Sequence, residues 1–209
     1  WLRIEAGGGL DRWTDDRSYL TTFGQLEARP GDARLAIAIS AEGGIAGGGI
    51  ADYRIGRALA QWRSSPGIEQ ARWSIRLGAD VSSGGTPIGR WPVAGTDPIT
   101  DIPLRAHRAV EDGRIAASLT ARSIVHGGIA GDVPIKQLGL VTVAVGAFVD
   151  GARVSRPLDG LASRLVADVG GGIRLGLAGG GMGVLSIDFA TSLSDDRDAL
   201  SLGFRPQLW

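Results

Sequence analysis

Two histidines, His107 and His126, are the only imidazoles in a chain of 209 residues that has no cysteine. A three-histidine metal site is therefore impossible, and thiolate nucleophiles, zinc–cysteine sites and iron–sulfur centres are excluded. His126 has Ser118, Ser123 and Ser186 available as partners on paper. No Gly-x-Ser-x-Gly elbow is present, however, and serine is frequent on any wet strand face, so polar strand residues are the simpler reading. The glycine clusters Gly7–Gly9, Gly47–Gly49 and Gly179–Gly181 are not phosphate loops either. The sole lysine, Lys136, follows Ile135, and no strand–glycine–helix unit surrounds any cluster. Neither a catalytic residue nor a cofactor nor a metal ion is expected. The remaining chemistry is charge: 22 basic residues, all but one of them arginine, balance 22 acidic ones. Neutrality disfavours a nucleic-acid partner. Arg72, Arg76, Arg122 and Arg174, with Asp80, Asp150, Asp168 and Asp188, read as a mixed, self-paired polar surface.

The elements that carry these charges have period two. In 72–81 Trp73, Ile75, Leu77, Ala79 and Val81 alternate with Arg72, Ser74, Arg76, Gly78 and Asp80. From Arg164 onward Leu165, Ala167, Val169, Gly171, Ile173, Leu175 and Leu177 share one face, and Arg164, Asp168 and Arg174 lie on the other. Leu185, Ile187 and Phe189 alternate with Ser186, Asp188 and Ala190, and Ile115, Ala117, Leu119, Ala121 and Val125 with Arg114, Thr120, Arg122 and His126. About ten strands follow, near 1–6, 18–29, 33–42, 50–63, 68–81, 114–126, 138–153, 162–177, 183–193 and 199–208. Tight turn sequences such as Pro30-Gly31-Asp32 and Ser65-Pro66-Gly67 imply antiparallel, up-and-down neighbours. One connection, 82–113, is long enough to be functional. No apolar run is long enough for a transmembrane helix, which needs about 18 residues.

Alternation alone fits a soluble sandwich as well as a transmembrane barrel. Long strands, wet polar faces and mixed connection lengths favour the barrel. The chain starts at Trp1 with no initiator methionine or signal peptide, which reads as a mature product or a fragment.

Three motifs then resemble the C-terminal part of the BamA/TamA family of bacterial outer-membrane barrels. Pro103-Leu104-Arg105-Ala106-His107-Arg108, with Glu111-Asp112-Gly113-Arg114 and the strand Ala117–Arg122, is similar to that family's lumen-inserted loop. Phe148-Val149-Asp150-Gly151-Ala152 resembles its aromatic-x-Asp-x-Gly strand. Gly171–Gly176, Ile187–Ala190 and Leu200–Phe204 resemble its last three strands. The match spans 86–209, and the five strands after the loop agree with the family's number. Ala106 stands where the family has the tip glycine, His107 where it has the tip aromatic, and Thr120 where it has an acid.

The resemblance implies one domain, 1–209, forming the C-terminal ten strands of a sixteen-strand transmembrane barrel, with 82–113 inserted in the lumen. It implies a bacterial outer-membrane location, contact with outer-membrane lipid, client outer-membrane or secreted proteins as partners, periplasmic domains upstream, and no catalysis. The loop tip is Leu104, Arg105, Ala106 and His107, and the resemblance pairs Arg105 with Asp150. A planar guanidinium fork suits a carboxylate in any case, and Asp150 is in phase with Thr142, Ala144 and Gly146, opposite Val141, Val143 and Val145. The C-terminal strand signal is Leu200, Leu202, Phe204 and Trp209. Trp209 is one residue out of phase, so a bulge at Pro206, within 205–207, is expected to return it to the apolar face. The other readings are a small closed pore or lipid-modifying barrel enzyme, and a soluble β-sandwich binding module.

Overall fold

A computed structural model describes residues 1–12, 18–31, 34–46, 51–65, 68–96, 102, 104–111, 113–177 and 183–205. The strands are β1 (Leu2–Arg12), β2 (Ser18–Ala28), β3 (Leu35–Ala46), β4 (Tyr53–Arg63) and β5 (Arg72–Ser82), then the two-residue strands β6 (Val110–Glu111) and β7 (Arg114–Ile115). There follow β8 (Ala121–Leu138), β9 (Val141–Pro157), β10 (Arg164–Leu177), β11 (Val184–Ser192) and β12 (Asp198–Arg205). Ten of them form one antiparallel sheet in the order β1-β2-β3-β4-β5-β8-β9-β10-β11-β12, and β6 pairs with β7 in a separate hairpin. Every neighbour in the large sheet is also the next strand of that sheet along the chain, the up-and-down arrangement that short turns enforce. Among the described residues the sheet does not close: β1 and β12 are its two edges. The only helical segment described is a 3-10 turn, Ile88–Arg90, and no helix is long and apolar enough to cross a membrane.

The sheet curls toward its polar face. Ile68, in the β4–β5 turn, packs with Ala144 of β9 and Val184 of β11. In a flat sheet, with strands about 4.8 Å apart, those positions would be roughly 12 and 22 Å away.

Residue polarity is inverted relative to a water-soluble fold. Asp80, Asp132, Asp150, Asp168, Asp188, Arg174 and His126 are buried on the inner face, while Ile4, Leu77, Ile129, Leu165, Phe189 and Leu202 stand exposed on the outer one. Large side chains lie flat across the sheet over glycines on the neighbouring strand. A Cβ on Gly78 would collide with the His126 ring, on Gly128 and Gly172 with the Asp150 and Asp188 carboxylates, and on Gly7 with the Phe23 ring. Much of the glycine in the sequence therefore answers to packing within strands rather than to turns.

Three boundaries differ from the periodicity reading. β1 continues through Gly7–Gly9, and β3 through Gly43 and Gly44, because extended glycines there make room for the Phe23 and Tyr53 rings. The strand expected at 114–126 begins only at Ala121 and runs to Leu138. Arg114 and Ile115 belong to the small hairpin, and 116–120 turn, with Thr120 Oγ1 and the Leu119 and Thr120 amides all donating to the Ala116 carbonyl. Leu119 is thus removed from the outer face and fully buried under the loop. The sheet's register shift lies between Pro134 and Lys136 of β8, where proline has no N–H for the ladder. Pro206 and Trp209, on which the expected C-terminal bulge rests, lie outside the described residues, as do Gly47–Gly49 and Gly179–Gly181.

Candidate functional site

The connection from β5 to β8 leaves one rim of the sheet and folds back across the polar face. Its first part is fastened to β3, β4 and β8: Thr86 Oγ1 donates to the Arg54 carbonyl at 3.3 Å, Arg90 meets Glu42 at 3.2 Å, and the Arg122 guanidinium lies 4.4 Å from the centroid of Trp91. Internally it is cross-tied by Ala94 N–H to the Leu119 carbonyl at 3.0 Å and Thr96 N–H to the His107 carbonyl at 2.7 Å. Gly95, at φ 139°, lies so close to the Ala109 backbone that a Cβ would meet its nitrogen at 2.6 Å. Ala94, Ile102, Leu104, Ala116 and Leu119 then pack with Ile124, Ala152, Val154 and Val166 of β8–β10, giving the loop an apolar core of its own. Burying those side chains contributes roughly 1.5–3 kcal/mol for each large aliphatic, which is how a segment so poor in secondary structure keeps one conformation.

That packing delivers the tip. Arg105, 8% exposed, places Nε 3.1 Å from Asp150 Oδ2 and Nη1 3.6 Å from Asp188 Oδ2, with its guanidinium 3.7 Å from the Phe148 ring centroid. Asp150 and Phe148, two residues apart on β9, share the inner face, so one arginine takes a carboxylate and an aromatic face from the same strand. The charges continue beyond it. Asp188 also pairs with Arg174, whose Nε is 3.2 Å from Asp132 Oδ1, and Asp132 Oδ2 accepts from Arg72 Nε at 2.8 Å. Three arginines and three aspartates thus alternate across β5, β8, β9, β10, β11 and the loop. Alternation offsets the desolvation that each buried charge would suffer alone.

His107 makes a second contact. Nδ1 is 3.0 Å from Asp168 Oδ1, Nε2 is 3.3 Å from Asp195 Oδ1 in the β11–β12 turn, and the Ala106 N–H donates to Asp168 Oδ2 at 2.7 Å. A neutral imidazole has one N–H and cannot donate to both acids; the imidazolium can. Burial pulls the His107 pKa down, but the hydrogen bond and charge of Asp168, joined by Asp195, outweigh it and hold it above 6.5. Asp195 is held below its usual range: its slight burial works the other way and is outweighed by the Ser192 hydrogen bond, His107 and Arg197. The histidine at the loop tip is therefore matched by two acids at the receiving end.

Leu104, Arg105, Ala106 and His107 all lie at the loop's contact with β9–β11, and Arg105 meets Asp150. Leu200, Leu202 and Phe204 share the exposed face of β12. They lie away from the network, and Trp209 lies outside the described residues. His126 is elsewhere on the polar face, with Nε2 3.3 Å from Asp80 Oδ2 and Nδ1 buried without a hydrogen-bond partner among the described residues. No serine hydroxyl is hydrogen-bonded to it. No cluster of three or more potential metal ligands occurs among the described residues. The parts that sequence reasoning did not assemble are Asp132 and Arg174 as links and Asp168 and Asp195 as partners of His107. One inward aspartate on each of β8–β11 was the available signal. No protein-family model matches this chain, and no curated protein does.

Proposed function

We propose that the chain is the C-terminal portion of a sixteen-strand bacterial outer-membrane β-barrel that, like the BamA/TamA family it resembles, assists insertion or translocation of client proteins without catalysis. The observation that carries the membrane part is the inverted polarity: a charged, buried inner face and an outer face of exposed Leu, Ile, Val and Phe. Exposing this much apolar surface to water would be unfavourable at about 25 cal/mol per Å², whereas hydrocarbon would accept it. β9 and β10, at 17 and 14 residues, exceed the 9–11 that a tilted strand needs to span a bilayer. Exposed Trp62 and Trp73 lie near one rim, the level at which amphipathic rings suit headgroups. The handling of clients is supported by the β12 edge, unpaired among the described residues, which offers backbone donors and acceptors to an incoming strand, and by a loop crossing the polar face.

The test has two arms. The folded chain is expected to require detergent and to show heat-modifiable β circular dichroism and gel mobility; a detergent-free, water-soluble monomer would overturn the membrane reading. Reconstituted in vesicles, it should accelerate insertion of a urea-unfolded outer-membrane barrel protein. A rate equal to that of protein-free vesicles would overturn the assembly role alone.

A further inference from the structure

We infer that the inner face carries a binding site for a small tetrahedral oxyanion of the phosphate class, centred on Arg63. A cavity of about 60 Å³ opens between β4, β5, the loop tip, β10 and β11. This is room for an ion the size of about two water molecules at ~30 Å³ each. Its lining carries four guanidinium groups, Arg63, Arg72, Arg105 and Arg174, against two carboxylates, Asp132 and Asp188. Both carboxylates are already committed: each oxygen of Asp132 faces Arg72 or Arg174, and each oxygen of Asp188 faces Arg174 or Arg105. Arg63 is the cation left over. Among the described residues its partner is the neutral amide of Gln61, whose oxygen accepts from Nη2 at 3.1 Å and from Nε at 3.2 Å once the amide is oriented to satisfy both groups.

A second observation points the same way. Arg105 also lines this cavity, and its Nη1 is buried without a hydrogen bond among the described residues, its approach to Asp188 being 3.6 Å. A guanidinium with only a neutral partner, beside a second arginine whose hydrogen bonding is incomplete, suits an oxyanion. Ser74, directly opposite Arg63 in the β4–β5 register, adds a hydroxyl. These residues come from three elements, β4, β5 and the loop, and line one cavity. A cavity of about 60 Å³ suits the free ion better than a glycerol ester of it, so a free ion is the ligand.

The experiment uses the full folded chain, with inorganic phosphate as the probe at constant ionic strength set by chloride. The ³¹P linewidth of phosphate and the thermal midpoint should both show saturable binding, with acetate and glycerol phosphate giving none. Arg63→Gln should weaken phosphate binding by about tenfold or more, as expected for loss of a charge-assisted contact, and Arg63→Glu, which supplies its own anion, should abolish the response while remaining folded. Arg108→Gln, outside the cavity lining, should leave it unchanged. A midpoint shift equal to that of chloride, no saturable linewidth change for the unmodified chain, or undiminished binding by either Arg63 variant would overturn the site. Equal binding of acetate or glycerol phosphate would overturn the assignment to a free tetrahedral ion.

Discussion

At the scale of the residue, Arg105 is the most connected side chain on the loop, and its contribution is separable from its neighbours'. Removing one partner of a desolvated ion pair leaves the other charge buried alone, at a typical cost of about 3–5 kcal/mol, against ~0–1 for an exposed pair. Arg105→Ala and Asp150→Ala are each expected to destabilise in the higher range, with the double substitution less harmful than the sum; additive effects in denaturant unfolding would mean that the 3.1 Å contact is energetically idle. His107 makes the neighbouring contact sensitive to pH. Its raised pKa means that the stabilisation is fully present below the ordinary value of 6.5 and is lost as pH rises through the higher folded value. Asp195, held low, contributes above its ordinary 3.8 and loses that contribution as pH falls through its lower folded value. Protection of the 104–108 amides from hydrogen exchange, corrected for intrinsic rates, should therefore fall as pH rises from the ordinary 6.5 through the higher folded value. His107→Phe should flatten the profile. An unmodified chain with a flat profile over that interval would show that the imidazolium is not what joins loop to turn.

At the scale of the element, the strands are governed by which glycines have something lying on them. A Cβ at Gly172 would collide with the Ile187 carbonyl and the Asp188 side chain, and a backbone carbonyl has nowhere to go. At Gly24, on β2, nothing lies within 4 Å. Gly172→Ala is therefore expected to cost about 1–3 kcal/mol as overpacking, and Gly24→Ala to be neutral or to stabilise by up to ~1 kcal/mol through the unfolded chain. Equal effects in parallel unfolding experiments would refute this account of the glycine content. The same contrast explains the boundaries that periodicity misplaced. Glycine has a low strand propensity, so Gly7–Gly9 and Gly43-Gly44 read as interruptions. In the sheet, Gly7 and Gly44 among them are the positions that let Phe23 and Tyr53 lie flat.

At the scale of the whole molecule, the outer face decides what medium the protein occupies. Leu202, opposite Ile187 in the last hairpin, is 72% exposed on a wall of apolar side chains. If that wall faces hydrocarbon, Leu202→Arg should destabilise by ~2–4 kcal/mol in lipid vesicles near the midplane, and by far less if it faces water. Ser201→Arg, on the other face of β12, provides the comparison. Equal small effects at both positions would place water on both sides of the sheet.

Alternation, strand number and antiparallel order were legible in the chain because period two needs only local side-chain geometry, and short turns leave a strand nowhere to go but beside its predecessor. The facing of Asp150 followed from the same counting. The loop tip and its pairing with Asp150 came through residue motifs. What only the tertiary structure decided were the contacts that depend on the sheet's curl: Asp188 beside Arg105, Asp195 beside His107, Arg63 on a cavity whose two carboxylates face other arginines, and Leu119 turned inward under the loop. These join residues far apart in sequence across strands that are not neighbours. No periodicity encodes such distances, because curvature sums small twists over many strands and one buried loop then selects which charges meet.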